Sequence, residues 1–434
     1  MSDSIPAAAA ARCIEALPDD VVAEILARVP DAVSLFRCIV VCRRWRRLVA
    51  DPDFLLRRRA WPDGGGSSLV GFFVLPQKLV YDDEGYSSLA PTGEGLAFVP
   101  APDLAGLGPG RRRRLTSFVR DDAGVLDHAR PLAARDGLLL LRLPPGPGEK
   151  NSVLRMCVCN LISGRWDLLP PLEGAGLIEH GVGGYAVLTA ADHGMDGLHR
   201  PADGYSSFFQ VLLTGVRSND LQVYLARFSS DSAATQAWYW KRVPELSAGP
   251  YGNRVAAVTC GIAHWVFIGT GPDGNGMQVL HVSISTGHVC ATEIPYHVLP
   301  DLIQPDWSKI WLCPSIDGLP LFFYLDDNQL RIWSRQDDED GDYTDEVWDL
   351  TQAIPLSTEL GLSGIKSLST VCIGEKSSTM LALNPDSGHP YVLHLRSRSS
   401  TMVAGWKESF NYVPAVPYEM NWSKFFMSRL GVQQ

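Results

Sequence analysis

The segments DGLLLLRL (residues 136–143) and VLRMCVCNLISGRWDLLPPL (residues 153–172) contain the pattern that decides the fold. Two apolar runs of strand length stand on either side of a Pro- and Gly-rich connection. The second run ends in the turn signal Ser163-Gly164, and a further short run bearing Trp166 follows before Pro171. We interpret the whole stretch as three antiparallel strands, of which the last two are joined by the Ser-Gly turn.

The same plan recurs along the chain. It is clear at residues 261–295, where the turn is Thr286-Gly287, and at residues 317–355, and it is looser at residues 208–244 and 379–406. The prolines that close these units are Pro171, Pro244, Pro295 and Pro355, and the tryptophans expected on outer strands are Trp166, Trp240, Trp348 and Trp406. A recurring unit of short strands and Gly turns is typical of a β-propeller.

The repeats predict an all-β propeller, which we expect to have six blades. The candidate blades are residues 69–120, 132–172, 208–245, 254–295, 309–355 and 369–406. A strand from the opposite end of the chain is expected to complete a terminal blade. The alternative fold is a two-sheet β-sandwich. The stretch CNLISGRWDLLPPL also resembles the N-x-x-T/S-G-x-W-x-x-L-P signature of F-box-associated and kelch-like propellers.

A different pattern precedes the repeats, in LPDDVVAEILARVPDAVSLFRCIVVCRRWRRLVADPDF (residues 17–54). Apolar residues recur with helical spacing in three successive stripes, which predict three short helices. The stripes are Val22, Ile25, Leu26 and Val29; Leu35, Cys38, Ile39 and Cys42; and Val41, Trp45, Leu48 and Val49. So small a unit cannot cover all these side chains by itself, so we expect a partner to cover the surplus.

This segment resembles an F-box, the module that binds the Skp-type adaptor of SCF ubiquitin ligases. The resemblance rests on Leu17-Pro18, the EIL of the first helix, Val29-Pro30, and VCRRW leading to Asp51-Pro52 and Phe54. It implies a three-helix F-box at residues 14–60. The Gly- and Ser-rich run at 61–68 predicts a hinge, so we expect the propeller at 69–430. The positions that the resemblance implies for the F-box core or for adaptor binding are Leu17, Pro18, Val21, Ile25, Leu26, Val29, Leu35, Cys38, Val41, Cys42 and Trp45.

The composition narrows the class of protein. With 46% hydrophobic and 20% charged residues the chain is in the globular range. A formal net charge of −10 argues against nucleic acid and anionic membranes as partners. We see no signal peptide and no apolar run long enough to span a bilayer, and nine cysteines in so long a chain do not resemble a disulfide scaffold. We therefore expect a location in the cytoplasm, the nucleus or both.

Catalytic chemistry is not evident in the sequence. Cys157 and Cys159 share one strand face, and we interpret them as packed thiols. The acidic run 337–342 does not fit a calcium loop: with Gly341 at the sixth position, the first and twelfth positions are Gln336 and Val347, and neither is a carboxylate. The His- and Asp-containing loop 192–199 has the composition of a long propeller loop. The repeats do not predict a cluster of carboxylates or histidines around the propeller axis. We expect no catalytic, cofactor-binding or metal-binding residue.

Two long loops are candidates for binding a target protein. Loop 101–114 ends in a dense basic run, and loop 190–206 gathers histidines and a tyrosine. Arginine suits carboxylate or phosphate oxygens, so an acidic or phosphorylated target segment is the expected ligand. The candidate residues are Arg111, Arg112, Arg113, Arg114, His193, His199 and Tyr205.

Together these features predict a non-enzymatic substrate-recognition subunit of an SCF-type E3 ubiquitin ligase. Its F-box would bind a Skp-type adaptor, and through it a cullin ligase, while the propeller would bind a target. Two alternatives remain. One is a propeller-fold hydrolase or oxidase, and the other is an adaptor-binding scaffold outside any ligase.

Overall fold

A computed structural model gives the fold. It describes residues 17–29, 34, 35, 38, 39, 42–51, 54, 67–81, 87–93, 95–102, 113–115, 118–146, 153–173, 182–189, 192, 208–217, 222–230, 238–252, 255–269, 277–294, 309–314, 320–326, 329–336, 347–365, 367–406 and 415–421. These residues divide into two compact units, one containing the helices and the other containing the strands from Leu69 to Glu419.

The described residues of the body form 28 strands, numbered in chain order. They are β1 (Ser67–Val74), β2 (Gln77–Tyr81), β3 (Ser87–Pro91), β4 (Ala97–Pro100), β5 (Arg113–Arg114), β6 (Arg130–Arg135), β7 (Leu138–Arg142), β8 (Val153–Leu154), β9 (Met156–Asn160), β10 (Arg165–Leu168), β11 (Leu172–Glu173), β12 (Val182–Thr189), β13 (Phe209–Arg217), β14 (Gln222–Ser229), β15 (Tyr239–Gly252), β16 (Ala257–Thr259), β17 (Ile262–Gly269), β18 (Met277–Ser283), β19 (Val289–Ile294), β20 (Ile310–Pro314), β21 (Pro320–Leu325), β22 (Gln329–Gln336), β23 (Val347–Pro355), β24 (Ser369–Gly374), β25 (Thr379–Leu383), β26 (Pro390–His394), β27 (Ser399–Met402) and β28 (Ala415–Asn421).

These strands build a six-bladed β-propeller, as the repeats predict, so the sandwich alternative is wrong. From the inner to the outer strand, blades 1 to 6 are β28-β1-β4-β5, β6-β7-β9-β10, β12-β13-β14-β15, β16-β17-β18-β19, β20-β21-β22-β23 and β24-β25-β26-β27. Strand β15 pairs with β14 through its first half and with β17 through its second half, which joins blades 3 and 4. Two further two-stranded sheets, β2-β3 and β8-β11, lie outside the blades.

The ring is closed by the two ends of the body. Inner strands of neighbouring blades contact each other: β6 contacts β12, β16 contacts β20, and β20 contacts β24. Strand β28, at the end of the chain, pairs with β1 and supplies the inner strand of blade 1. A strand from the opposite end of the chain therefore completes a terminal blade, as expected.

Tight turns fix the register of the strands. Asp136 and Gly137 both have positive φ, 47° and 86°, which is the two-residue turn that matches the twist of a hairpin. After β9, the Asn160 side chain accepts hydrogen bonds from the backbone of Ile162 (3.0 Å) and Ser163 (2.9 Å), and Gly164 closes the turn at φ 75°. The Asn-x-x-Ser-Gly signature is thus a turn in which the Asn side chain caps the backbone.

Each pair of neighbouring blades from 2 to 6 encloses its own apolar cluster. Leu140 and Val158 of blade 2, for example, pack with Leu213 of blade 3. Blade 1 instead has an aromatic cluster, in which Phe73 contacts Phe98 and Tyr418 with ring centroids 5.1 and 5.6 Å apart. Because Tyr418 lies on β28, closure of the propeller buries aromatic side-chain surface in addition to pairing backbone groups.

Some strand assignments differ from the prediction. Blade 3 begins with β12, before the predicted start at residue 208. Arg113 and Arg114 were expected in a loop but form β5, the outer strand of blade 1. Trp166, Trp240 and Trp348 lie on outer strands as predicted, whereas Trp406 follows the last outer strand. Ser67 and Ser68, in the predicted hinge, belong to β1.

Two helices are described in the N-terminal unit, α1 (Asp19–Ala27) and α2 (Arg43–Ala50). Leu35 and Cys38 have helical backbone, but the predicted middle helix falls partly outside the described residues, so three helices remain a prediction. Cys42 was expected on a helical stripe. It has extended backbone instead and caps α2, accepting a hydrogen bond from Trp45 N at 3.4 Å. The helical spacing of apolar residues in the sequence therefore extends to a residue that lies outside the helices.

Candidate functional site

Helix α1 has apolar side chains on both its inner and its outer face. Val22 and Leu26 are each 2% exposed and pack inward, whereas Val21 is 39% and Ile25 is 52% exposed. Pro18, three residues before Val21, is also exposed. Since residues three and four apart share one helix face, Pro18, Val21 and Ile25 form a continuous outward stripe, called here the α1 stripe. Exposed apolar side chains in a row are typical of a docking surface.

Charged contacts join the start of α1 to α2. The Arg44 Nε donates to Asp19 Oδ1 at 2.7 Å, and Arg47 Nη2 donates to Asp19 Oδ2 at 2.9 Å. Arg44 also donates to the Leu17 carbonyl. The hydrogen bond from Arg44 holds the pKa of Asp19 below its usual value. The basic run of α2 therefore fixes the segment that begins the α1 stripe.

The predicted adaptor-binding residues fall into distinct environments. Leu26 and Leu35 are buried, and Pro18, Val21, Ile25 and Cys42 are exposed. The half-buried members of the set are Leu17, Val29, Cys38 and Trp45. Val41 lies outside the described residues. The structure therefore separates core positions from surface positions, which the sequence could not do.

The predicted target-binding residues are only partly described. Arg114 is exposed on β5, where it lies opposite Ala97, and Arg113 lies opposite Phe98. Arg111, Arg112, His193, His199 and Tyr205 lie outside the described residues. Their role in target binding stays a prediction.

A cluster of charged side chains that the sequence did not predict lies at one end of the propeller axis. Arg135, at the end of β6, donates to Asp192 at 2.6 Å through Nη2 and at 3.0 Å through Nε, and it pairs with Glu375. Lys376 pairs with Asp136. The repeats gave no indication that these charged side chains come together. The residues come from turns far apart in sequence, and no local motif marks them.

Burial and pairing limit the chemistry of this cluster. The side chains of Arg135 and Asp192 are 9% and 8% exposed. Burial alone would raise the pKa of Asp192, but the charge and hydrogen bonds of Arg135 hold it below its usual value. Among the residues that the structure describes, no three His, Cys, Asp or Glu side chains are arranged to hold a metal ion. Pairing with Arg135 therefore favours the ionised form of Asp192.

A second buried polar row crosses blade 4. Thr259 Oγ1 and His264 Nε2 are 2.7 Å apart, the Nδ1 atoms of His264 and His281 are 2.7 Å apart, and His281 Nε2 is 2.7 Å from Thr292 Oγ1. The row takes one residue from each strand of the blade, from β16 to β19. It satisfies buried polar atoms within the sheet, and we read it as structural.

Comparison with known proteins identifies the N-terminal unit. Residues 14–60 match the family model described as F-box-like. The chain thus has an F-box-like domain followed by a six-bladed β-propeller. The kelch-like character of the blades stays a prediction. A comparison with curated proteins gives no match.

Among solved structures, the chain is similar to propeller-containing hydrolases at low identity. An α-L-arabinanase of Penicillium chrysogenum complexed with arabinobiose is 9% identical, with a TM-score of 0.33, over 67% of this chain and 79% of that chain. The α-L-arabinofuranosidase Arb93A of Fusarium graminearum is 11% identical, with a TM-score of 0.34, over 63% and 79%. Prolyl oligopeptidase B of Galerina marginata is 10% identical, with a TM-score of 0.33, over 80% and 43%. Similarity this low supports no conclusion about activity.

Helices of the described residues are all too short or too polar to cross a bilayer.

Proposed function

We propose that this chain is the substrate-recognition subunit of an SCF-type E3 ubiquitin ligase. The F-box-like domain binds a Skp-type adaptor, and through it a cullin ligase, while the propeller binds a target protein. The protein works in the cytoplasm, the nucleus or both. The structure shows no disulfide among the described cysteines, which fits a reducing compartment.

The α1 stripe is the observation that carries this proposal. Val21 and Ile25 are exposed on a helix whose opposite face is already packed, so folding of the domain does not use them. Covering such side chains with a partner gains roughly 25 cal/mol for each Å² of apolar surface removed from water. The stripe lies inside the segment that matches the F-box-like family. A Skp-type adaptor is the partner that this family implies.

The proposed role needs no catalytic residue in this chain. A receptor that holds a target beside a ubiquitin-charged enzyme raises the effective concentration of the target lysine. A rigid propeller suits this role because its loops present recognition residues on a fixed scaffold. The hydrolase alternative would need free carboxylates at the axis, whereas Asp192 pairs with Arg135 and Asp136 pairs with Lys376.

Adaptor binding is tested with one substitution and one matched control in the full chain. Ile25→Asp places a charge in the α1 stripe, whereas Leu168→Asp changes an equally exposed residue, 53% accessible, on the outer strand of blade 2. We expect Ile25→Asp to weaken binding of purified Skp-type adaptor about 30-fold or more, since truncated anchors commonly cost ~2 kcal/mol. Leu168→Asp should bind as the wild type does. Equal binding by both variants would remove the α1 stripe from the interface.

A reconstituted reaction separates a ligase receptor from an adaptor-binding scaffold. Adaptor, cullin ligase, ubiquitin-charging enzymes and the full chain are combined, and ubiquitin transfer to captured proteins or to the chain itself is measured. We expect transfer that Ile25→Asp abolishes and Leu168→Asp leaves intact. Adaptor binding without any transfer would favour the scaffold.

A further inference from the structure

The charged cluster at the propeller axis joins elements that are far apart in the chain. Its members are Arg135 and Asp136 of blade 2, Asp192 after β12 of blade 3, Glu375 and Lys376 in the turn after β24 of blade 6, and Glu419 on β28 of blade 1. We call this set the axial cluster. Blades 2 and 6 are not neighbours in the ring, so the pairs Arg135–Glu375 and Asp136–Lys376 reach past blade 1.

The axial cluster also contacts the strand that closes the ring. Glu419 accepts hydrogen bonds from the backbone of Ser377 at 2.7 Å and of Lys376 at 3.0 Å. The same turn carries Glu375 and Lys376, which pair with blade 2. One turn of blade 6 therefore connects β28 on one side and Arg135 on the other. Any change in the charge of this turn acts on the junction where the two ends of the body meet.

The described members of the cluster do not balance in charge. Four carboxyl groups, those of Asp136, Asp192, Glu375 and Glu419, share two cationic groups, those of Arg135 and Lys376. Two thiols face the same region, Cys313 from β20 and Cys372 from β24. Burial raises the pKa of both thiols, so they add no negative charge near neutrality. A buried excess of carboxylates is costly and favours the uptake of a positive charge.

We propose that the axial cluster is a proton-dependent clasp on the ring, which tightens the junction of β28 with blades 6 and 2 when Glu375 takes up a proton and loosens it when the proton leaves. Glu375 is the site of uptake because it pairs with Arg135, is repelled by the charge of Glu419, and has a side chain that is only 16% exposed. The protonated carboxyl still accepts a hydrogen bond from Arg135. Its neutral form removes the repulsion with Glu419 and Asp192.

The electrostatics of Glu375 set the range in which the clasp works. Burial raises the pKa of Glu375, Arg135 lowers it, and Glu419 and Asp192 raise it again, giving a value of about 7 against 4.5 for the unperturbed group. The folded protein therefore keeps a proton that the unfolded chain loses near pH 4.5. Stability from this group is complete below that pH and is lost as the pH rises through about 7.

The test measures thermal unfolding of the full chain at about pH 6 and about pH 8. Glu375→Gln keeps the shape of the protonated side chain and cannot ionise. Any change in its unfolding temperature between the two pH values should therefore come from the other titratable groups alone. Glu359→Gln is the matched control, because Glu359 pairs with Arg398 on the surface of the body at 2.6 Å. We expect the wild type and Glu359→Gln to lose about 2 °C more than Glu375→Gln over this range.

Hydrogen exchange gives a second readout that does not depend on any variant. In the wild type, protection of the amides of 415–421 and 374–379, corrected for intrinsic exchange, should fall between about pH 6 and about pH 8, while that of β26 should not. Equal pH dependence of wild type and Glu375→Gln would overturn the proposal. If Glu375→Gln does not fold, unchanged protection of these two segments in the wild type would overturn it instead.

Discussion

Ile25 and Leu26 follow each other in helix α1, yet Ile25 is 52% exposed and Leu26 is 2% exposed. The two residues therefore have separable roles, although both belong to the F-box-like segment. Leu26 holds the domain together, and Ile25 is left on the surface. A helix that is apolar on both faces requires a second covering surface.

Alanine substitutions should separate these roles. Leu26→Ala leaves a cavity and should lower the free energy of unfolding of the N-terminal domain by about 2–4 kcal/mol. Ile25→Ala removes only exposed surface, so its effect on that free energy should stay within about 0.5 kcal/mol. Hydrogen exchange of residues 17–29 in the full chain measures stability, and titration with the Skp-type adaptor measures binding. Ile25→Ala should weaken binding without raising exchange.

The outcome that contradicts this separation is specific. If Ile25→Ala accelerates exchange of α1 as much as Leu26→Ala does, Ile25 belongs to the core of the domain. Its exposure would then not mark an interface.

Asp19 should position the α1 stripe through Arg44 and Arg47. Asp19→Asn removes both ion pairs, which are solvent-exposed and therefore weak, so adaptor affinity should fall by about threefold or less. The loss should disappear at about 0.5 M salt, where the pairs are screened. Because the pKa of Asp19 is lowered below 3.8, its contribution is present above that pH and is lost only as the pH falls through the lowered value. Titration of Asp19 should therefore not change the adaptor affinity of the wild type between about pH 5.5 and about pH 7.5.

Asp20→Asn is the matched control for Asp19. Both residues lie in the first turn of α1, and Asp20 is exposed. Binding that falls equally in the two variants would point to the net charge of the turn rather than to the contacts with α2.

The basic run at residues 111–114 should contribute to target capture. Replacing Arg111, Arg112, Arg113 and Arg114 with Ser removes four positive charges from an acidic chain, and capture of an acidic or phosphorylated target should become weaker and less sensitive to salt. Because β5 pairs with β4 through its backbone, the blade should remain folded. Affinity capture with proteasome inhibition measures the effect, and adaptor binding is the internal control. Capture that is unchanged at low and high salt would remove these arginines from the interface.

Local chemistry explains why the blades could be predicted. The turns at Asp136-Gly137 and at Asn160 to Gly164 are each formed by residues close in sequence. The hairpins that they define can therefore be predicted from the local sequence alone. Strand β12, which reads VGGYAVLT, has two glycines and lacks such a turn signal before it, and it was missed. Cys42 shows the converse error, because apolar spacing continues through a residue that ends up capping a helix.

The axial cluster could not be predicted for a physical reason. Arg135 and Glu375 are 240 residues apart; Arg135 ends the inner strand of blade 2, and Glu375 follows the inner strand of blade 6. Only closure of the ring brings these turns together, so the charges meet through topology rather than through local pattern. The F-box-like segment is the opposite case, since its exposed stripe follows from residues within one helix.

The buried row of blade 4 supports a final prediction, about the coupling of His264 and His281. Their Nδ1 atoms are 2.7 Å apart, so one ring must donate while the other accepts, and both rings are buried. Substituting His281 with Leu leaves His264 and Thr292 without these partners inside the blade, which should lower the free energy of unfolding by about 1–3 kcal/mol. His264→Leu should cost a similar amount. The double substitution should cost less than the two single effects together by about 1 kcal/mol or more, because each single change already breaks the shared bond. Urea unfolding of the full chain measures all three variants, and His288→Leu, at an exposed turn of the same blade, is the control with little expected effect. Additive losses would mean that the two histidines stabilise the blade independently, through packing rather than through the bond between them.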